Sequence, residues 1–280
     1  MVESVTIGNV TIHAIIDVAP PPRDPESFFP DVPLEKWEPY KEEHLDANGK
    51  YQIYFTAWVL RSGAQTVLVD TGLGPGPHER FGGLQGRLMG RLLELGVSPE
   101  DISSIAFTHL HVDHVGWNLT EEGSQKSITF PRAKYIIPKD DWDHFTKPEV
   151  SQSLPSIQDN VLPLQGLSAL ELVTGEYTVT PEVVMFPTPG HTPGHTSILV
   201  TSRGEKACLV GDLFHSSVQV TEADWCAGAD MDKDLARRTR YTLLDRLEME
   251  GLTVAAGHLP AGRMIGKVVR LQGRRYWQVL

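Results

Sequence analysis

Short apolar runs separated by polar turns predict β-strands through the first half of the chain. These runs cover residues 10–16, 51–60 and 65–69, and residues 61–64 form the predicted turn between the last two. A further apolar run at residues 105–108 predicts a buried strand. Sheet structure is therefore expected from close to the first residue onward.

Helical spacing of apolar residues predicts helices over residues 84–95 and 235–250, and residues 139–158 look helical with two proline breaks. The second half also contains apolar runs that predict strands at residues 134–137, 183–186, 196–200, 206–210 and 253–256, and a closing strand or hairpin at residues 264–271 and 276–280. Strands in both halves with helices between them predict a layered α/β domain with two sheets, which we take to span residues 1–280.

Residues 19–50 differ from the rest because they are rich in proline and show no periodicity, which is typical of a long loop. Their aromatic residues, among them Phe28, Phe29 and Trp37, argue against disorder. Two interpretations remain open for this segment. It either packs on the core as a strap, or it forms a wall or lid over an active site, with the three aromatic residues facing substrate, or a homodimer contact.

Charge and composition exclude several classes of protein. The 280 residues include 25 basic and 36 acidic side chains, a net charge of -11, so neither nucleic acid nor an anionic membrane is an expected partner. No apolar stretch approaches the length of a membrane span, and the first residues lack the pattern of a signal peptide, so the expected location is cytoplasmic. The two cysteines, Cys208 and Cys226, predict neither a disulfide framework nor a cysteine-based zinc site.

Four metal-capable side chains follow the predicted strand at residues 105–108. They are His109, His111, Asp113 and His114, on a loop at the end of the strand where sites in α/β proteins form. Alternation in an extended loop would place the first three on one side, and His114 could join them if the chain turned, which Gly116 permits. Neutral imidazoles and a carboxylate suit zinc and similar ions. A solvated polar loop is the alternative, and histidines and aspartates downstream favour the metal site.

Four other segments complete a recognisable pattern with the HxHxDH sequence at residues 109–114. They are Asp70-Thr71-Gly72, Thr188-Pro189-Gly190-His191-Thr192-Pro193-Gly194-His195, Gly211-Asp212 and Gly257-His258. With these five elements the chain resembles the metallo-β-lactamase superfamily over most of its length. The resemblance implies a four-layer αββα sandwich with a two-metal centre at one edge.

The resemblance also implies a ligand set for two divalent ions per chain, zinc first, with manganese, iron or cobalt as alternatives. Site one would hold His109, His111 and His195, site two would hold Asp113, His114 and His258, and Asp212 would bridge them. Two ions about 3.5–4 Å apart share a hydroxide as nucleophile and polarise the substrate's oxygen. Asp113 is also a candidate for taking or relaying a proton. Asp70 and His191 would support the ligands from behind.

The resemblance and the composition together favour a hydrolase of small-molecule lactones or esters. Only 22 residues follow His258, too few for the helical extension of glyoxalase II-type thioesterases, and the acidic chain lacks the basic arm of RNA-processing relatives. Organophosphate triesters and β-lactams are alternative substrates. A mononuclear iron dioxygenase of persulfides and a non-catalytic ligand-binding protein are the alternatives from other classes.

Two residues after the bridging aspartate are candidates for contacting substrate. His215 follows Asp212 by three residues and is a candidate substrate ligand or general acid, and Phe214 is a candidate wall residue. Resembling lactonases often carry a tyrosine at the position of His215, and this departure weakens the case for homoserine lactones in particular.

Overall fold

Two seven-stranded mixed sheets form the centre of the molecule. The structure is a computed structural model that describes residues 3–122 and 125–280. The first sheet contains, in spatial order, β1 (Ser4–Ile7), β2 (Val10–Val18), β3 (Phe55–Ser62), β4 (Gln65–Val69), β5 (Ser104–Ala106), β8 (Lys134–Pro138) and β9 (Leu170–Val173). Strands β4, β5, β8 and β9 run parallel, and a separate hairpin consists of β6 (Leu119–Glu122) and β7 (Gln125–Ile128).

The second sheet is built entirely from the later part of the chain. Its strands, in spatial and chain order, are β10 (Tyr177–Thr180), β11 (Val183–Pro187), β12 (Thr196–Ser202), β13 (Glu205–Leu209), β14 (Thr253–Ala255), β15 (Ile265–Leu271) and β16 (Arg274–Val279). Neighbours are antiparallel except β13 and β14, which run parallel. The long helix α8 (Lys233–Met249) makes the crossover that a parallel pair requires.

Helices cover the outer faces of both sheets. Besides α8, the α-helices of the described residues are α1 (Pro25–Phe28), α2 (Lys41–His44), α3 (Leu88–Glu94), α4 (Lys139–Phe145), α5 (Pro148–Ser151), α6 (Pro155–Asn160) and α7 (Val218–Thr221). Helix α3 contacts β2 and α4 contacts β8 and β9 in the first sheet, whereas α8 contacts β15 in the second. The predicted α/β class with a four-layer αββα order is confirmed.

Strand β3 shows how the layers share the apolar residues. Side chains of a strand point alternately to opposite faces, and β3 buries both. Trp58 and Leu60 face the core between the two sheets, while Ala57 and Val59 belong to the core beneath the helices of the first sheet. The near-continuous apolar run in the sequence therefore reflects a strand that is covered on both sides.

Several predicted boundaries are wrong for reasons that lie far away in the sequence. The strand predicted at residues 51–60 begins only at Phe55, because Tyr51 pairs instead with Arg23 and Leu45 in isolated bridges. The helix predicted at residues 84–95 begins at Leu88. Its first amides, those of Arg87 and Leu88, donate to the Asp17 carboxylate of β2 at 2.6 and 2.7 Å. The apolar pattern did not indicate β1, the β6–β7 hairpin, β9 or β10.

The proline-rich segment at residues 19–50 is folded onto the body of the protein. It contains α1, a 3₁₀ helix at Leu34–Tyr40 and α2. Phe29 and Trp37 are buried and pack against each other, with ring centroids 5.4 Å apart, and Trp37 packs on Trp225 at 4.9 Å. These contacts fit the strap interpretation for most of the segment. In the described ranges, no helix is long and apolar enough to cross a membrane.

Candidate metal centre

The metal-capable side chains come from loops that end at one edge of the two sheets. Residues 109–114 follow β5, and the loop between β11 and β12 carries His191 and His195. Asp212 follows β13 and His258 follows β14. Because β13 and β14 are parallel, as are β4 and β5, the loops after them emerge at common edges.

One cluster consists of His109, His111, His191 and Asp212, whose nearest ligand atoms all lie within 4.8 Å of one another. His111 Nδ1 is 3.1 Å from His109 Nε2 and 2.9 Å from His191 Nε2. His191 Nε2 is 3.3 Å from Asp212 Oδ2. Three imidazole nitrogens and one carboxylate oxygen therefore converge on one point.

The adjoining cluster consists of Asp113, His114 and His258. His114 Nε2 lies 3.5 Å from Asp113 Oδ2 and 3.4 Å from Asp212 Oδ1. His258 Nε2 is 2.9 Å from Asp212 Oδ2. The carboxylate of Asp212 thus lies between the two clusters, as the resemblance implied for a bridging residue.

The loop at residues 109–114 is not extended, so the predicted alternation is wrong. The amide of His114 donates to the carbonyl of His111 at 3.0 Å, which closes a turn. The turn sends His109 and His111 to the first cluster and Asp113 and His114 to the second. Gly116 serves packing, since a Cβ there would lie 1.9 Å from the Leu73 carbonyl.

The structure contradicts the choice of His195 as a ligand and brings His191 to the centre instead. Both ring nitrogens of His195 are already used: Nε2 accepts the backbone N–H of Asp212 at 2.9 Å, and Nδ1 donates to the Thr188 carbonyl at 2.9 Å. A nitrogen lone pair that accepts a hydrogen bond is not available to a cation. His195 lies directly before β12 and fixes the loop that carries Asp212.

The outer nitrogens of three centre histidines are held by oxygen atoms behind them. His114 Nδ1 is 2.8 Å from Asp70 Oδ2, His191 Nδ1 is 2.8 Å from Asp230 Oδ1, and His258 Nδ1 is 2.7 Å from the Tyr54 carbonyl. An N–H at these positions leaves the Nε2 lone pairs directed into the centre, the arrangement typical of metal-binding histidines. The predicted supporting position of Asp70 agrees with this contact.

The donor set fits divalent cations. His114 Nε2 is buried and finds no hydrogen-bond partner within the described part of the chain, although two carboxylates face it. Lone pairs facing carboxylate oxygens repel one another unless a positive charge lies between them. Imidazole nitrogen and carboxylate oxygen are ligands that zinc and related ions accept. The centre therefore has the chemistry to hold metal ions.

The pKa shifts of the histidines also indicate that the centre attracts positive charge. Burial lowers the pKa of His111 to about 3, so its imidazole is neutral, as a ligand must be. Burial acts in the same direction on His191, but the carboxylates of Asp212 and Asp230 outweigh it and raise its pKa to about 9. The carboxylates around the centre thus attract positive charge into it.

Two buried carboxylates that organise the centre were not predicted. Asp230 fixes His191 and accepts hydrogen bonds from the Ala227 amide at 3.0 Å and from the buried Arg240 at 3.3 Å. The signal for Arg240 was weak, because basic residues in a helix usually face solvent. Nothing in the local sequence marks Asp230 as a partner of His191.

Asp141 in α4 is the second of these carboxylates, and it joins the two ligand loops. It accepts the Leu110 amide at 3.0 Å, the Thr192 hydroxyl at 3.0 Å and the Gly194 amide at 2.6 Å. Burial raises the pKa of Asp141 to about 6. An aspartate on the apolar face of α4, beside the buried Trp142, was the available signal in the sequence.

A cavity of about 800 Å³ opens above the centre. His111, Asp113, His191, Asp212 and His258 contribute to its floor. Its walls are mostly apolar and include the residues Phe28, Ile53, Phe55, Phe81, Leu110, Val112, Phe145, Leu154 and Ile157.

Of the four predicted wall residues, only Phe28 lines the cavity. Phe29 and Trp37 are buried beneath it in the aromatic cluster of residues 19–50. Phe214 is buried in the hydrophobic core, where its ring lies 6.0 Å from Trp277 of β16. The prediction for these three was wrong because aromatic residues near a site in sequence fill the core as readily as they line a pocket.

His215 lies on the floor of the cavity beside the centre. Its Nε2 is 3.2 Å from Asp212 Oδ2, and its ring stacks on His258 with centroids 5.0 Å apart. The Gln219 side chain accepts its amide at 2.7 Å, and the Tyr51 hydroxyl donates to its carbonyl. One nearby and one distant side chain therefore fix the backbone of His215, and burial lowers the pKa of its ring, which favours the neutral form.

Comparison with known proteins identifies relatives by sequence and by fold. A sequence model described as the Metallo-beta-lactamase superfamily matches residues 56–258. An N-acyl homoserine lactonase from a Bacillus species is 28% identical over 217 residues, which cover 72% of this chain and 79% of the relative. A crystal structure of the hydrolase AbOPH, in the beta lactamase superfamily, superimposes with a TM-score of 0.86 at 26% identity, covering 100% of this chain and 97% of the other. The dizinc quorum-quenching lactonase AidC, with a bound product, has the same fold, with a TM-score of 0.82, 23% identity and coverage of 100% and 97%.

Proposed function

The chain belongs to the metallo-β-lactamase superfamily, and from that premise we propose that it is a metal-dependent hydrolase of small-molecule lactones or esters. We further propose that it uses two divalent ions per chain, zinc first. The observation that carries this proposal is the convergence of imidazole nitrogens and carboxylate oxygens in two adjoining clusters. The carboxylates attract positive charge into the centre, and divalent ions would supply it.

The ligand assignment follows the two clusters. His109, His111 and His191 would hold one ion, and Asp113, His114 and His258 would hold the other. Asp212 would contact both, since its carboxylate lies close to histidines of both clusters. The ions would supply a water of lowered pKa as nucleophile and would polarise the substrate's carbonyl oxygen.

Side chains of the protein itself would bind and orient the substrate. The apolar walls would take an acyl or aryl group and exclude water from the floor, which strengthens electrostatic interactions there. His215, whose ring is at the floor, would donate a hydrogen bond to the carbonyl oxygen or the leaving alkoxide. Asp113 is the carboxylate that would take or relay a proton, since it is less enclosed than Asp212.

Lactones and esters are favoured over other substrates by the relatives. The matched Bacillus relative is an N-acyl homoserine lactonase, and AidC is a dizinc lactonase crystallised with its ring-opened product. A cavity of about 800 Å³ is also in the size range of small-molecule sites.

A hydrolysis screen with metal removal tests the proposal. The purified protein is assayed on lactones, aryl esters, phosphotriesters and β-lactams, before chelation, after chelation and after zinc is restored. We expect the highest kcat/KM on a lactone or ester, its loss on chelation and its return with zinc. Oxygen consumption with a persulfide and a single bound iron, without hydrolysis, would instead identify a dioxygenase.

A further inference from the structure

Two arginines stand on the wall of the cavity beside one aromatic ring. Arg23, at the start of the proline-rich segment, places its guanidinium carbon 5.7 Å from the centre of the Phe81 ring. Arg80, on the loop that follows β4, places its guanidinium carbon 5.8 Å from the same ring. Two segments that are distant in sequence thus bring two cations to one patch.

The charge of this patch is not neutralised by the protein. Neither arginine forms an ion pair with any residue at positions 3–122 or 125–280, whereas neighbouring Asp24 is paired with Lys50 at 2.6 Å. Glu79 lines the same wall and is the acidic residue there that belongs to neither cluster, so the patch keeps a net positive charge. The chain as a whole has a net charge of -11, so the sign of this patch is opposite to that of the protein as a whole.

Both arginines line the cavity directly, and apolar side chains line the space between them and the floor. The cavity wall that carries the arginines also includes Ile53, Phe55 and Phe81. Nearer the metal clusters, the wall includes Leu110 and Phe145. A ligand that filled this cavity would meet metal-capable residues on the floor, apolar side chains along its body and guanidinium groups at the wall.

We infer that the substrate carries an anionic group, a carboxylate or a phosphate, which Arg23 and Arg80 bind while the ester or lactone lies on the metal centre. This inference rests on the proposed function and names its substrate class. A guanidinium group binds either anion through paired hydrogen bonds, and the contact with Phe81 holds both side chains near the cavity. Because both arginines are solvent-exposed, water screens the interaction and its effect is moderate.

Matched esters that differ in one charge provide the test. The substrates are the 4-nitrophenyl ester of adipic acid with its distal carboxylate free, the same ester with that carboxylate methylated, and a third with a distal phosphate. We expect the wild-type protein to favour the anionic esters about tenfold in kcat/KM over the methylated ester. The preference of carboxylate over phosphate, or the reverse, identifies the source of the anion.

Charge-removing variants assign the preference to the patch. Arg23→Gln and Arg80→Gln should each reduce the preference several-fold, and in the double variant the anionic and methylated esters should have equal kcat/KM. Arg238→Gln is the matched control, because Arg238 is an exposed arginine of α8 that does not line the cavity. Added salt should weaken the wild-type preference, since it screens exposed charges.

The result can be separated from the fate of the proposed function. Equal rates on charged and methylated esters in wild type, with hydrolysis still lost on chelation, would overturn the inference and leave the hydrolase intact. If no ester is hydrolysed, calorimetry with the zinc-loaded protein compares adipate with its monomethyl ester. Tighter binding of adipate that disappears in the double variant would support the patch and count against the hydrolase. Equal affinities would overturn the inference.

Discussion

The floor and the walls of the cavity are built in different ways. On the floor, His114, His191 and His258 are each held by a second oxygen behind the ring, and Asp212 is fixed through His195. On the walls, Phe28 and the arginines near Phe81 are partly or fully exposed. A position set by several hydrogen bonds is suited to chemistry that tolerates little displacement, whereas loosely held side chains are suited to substrate selection.

This difference teaches which substitutions will affect which property. Changes on the floor should alter metal binding and every substrate alike. Changes on the walls should alter the choice among substrates, and changes beneath the walls should alter stability alone. Substitutions in each of these regions test whether the three properties separate in this way.

The largest expected effect separates the two histidines of the loop between β11 and β12. His191→Ala should lower kcat/KM by about a thousandfold or more on every substrate, because it removes a proposed ligand from the centre. His195→Gln should retain measurable metal-dependent activity, since an amide can accept from the Asp212 amide and donate to Thr188. Steady-state assays with zinc in excess measure both, and circular dichroism confirms folding. An inactive His195→Gln together with an active His191→Ala would show that His195, and not His191, is the metal ligand.

The next prediction divides residues 19–50 between wall and strap. Trp37→Ala should lower the free energy of unfolding by about 3–5 kcal/mol, because it removes a large buried side chain. Phe28→Ala should change stability less and should raise KM for bulky substrates more than for small ones. Urea unfolding and KM values on a substrate series provide the two measurements. Equal KM changes for both variants on all substrates would remove the distinction.

A smaller effect is expected from the carboxylate behind His191. Asp230→Asn should weaken metal affinity about 10–100-fold, the range typical of residues that orient a ligand. Competition with a chromophoric chelator measures the affinity. Asp232→Asn is the matched control, because it changes the capping residue of α8, whose side chain accepts the Leu235 amide and not a hydrogen bond from His191. Unchanged affinity in Asp230→Asn would mean that His191 is held by packing alone.

The smallest expected effect is a pH dependence at Asp141. Its pKa of about 6 in the folded protein exceeds the unfolded value, so the folded state binds this proton more tightly. The associated stability is fully present below about pH 4 and is lost as the pH rises through about 6, by on the order of 1–3 kcal/mol. Unfolding of chelated wild type and Asp141→Asn across pH 4–7 tests it. A difference between the two that does not vary with pH would contradict the cause given.

The sequence was sufficient for the layered fold, and it marked most of the side chains that the structure brings together at the centre. Apolar runs marked strands such as β4 and β12, and the HxHxDH sequence marked the loop after β5. These signals are local, because burial on two faces imposes apolar runs and a metal demands a narrow set of side chains. Local patterns therefore identify both.

The sequence-based predictions were wrong where contacts between residues distant in the sequence determine the position of a side chain or the start of a helix. His191 and His195 both follow a Pro-Gly pair, and the Asp212 amide, 17 residues beyond His195, is what occupies the second. Asp17 sets the start of α3 from 71 positions before Leu88. Phe29 and Phe28 are adjacent, yet one fills the core and the other lines the cavity. No periodicity in the sequence contains these relations.

The central claim is that the floor holds two ions, and the metal content of the protein tests it most directly. Elemental analysis of the purified protein after equilibration with zinc and removal of free metal should give close to two equivalents per chain. His191→Ala and His258→Ala, which each remove a ligand from a different cluster, should each fall toward one. A wild-type content of one equivalent that does not rise when metal is added would contradict the account.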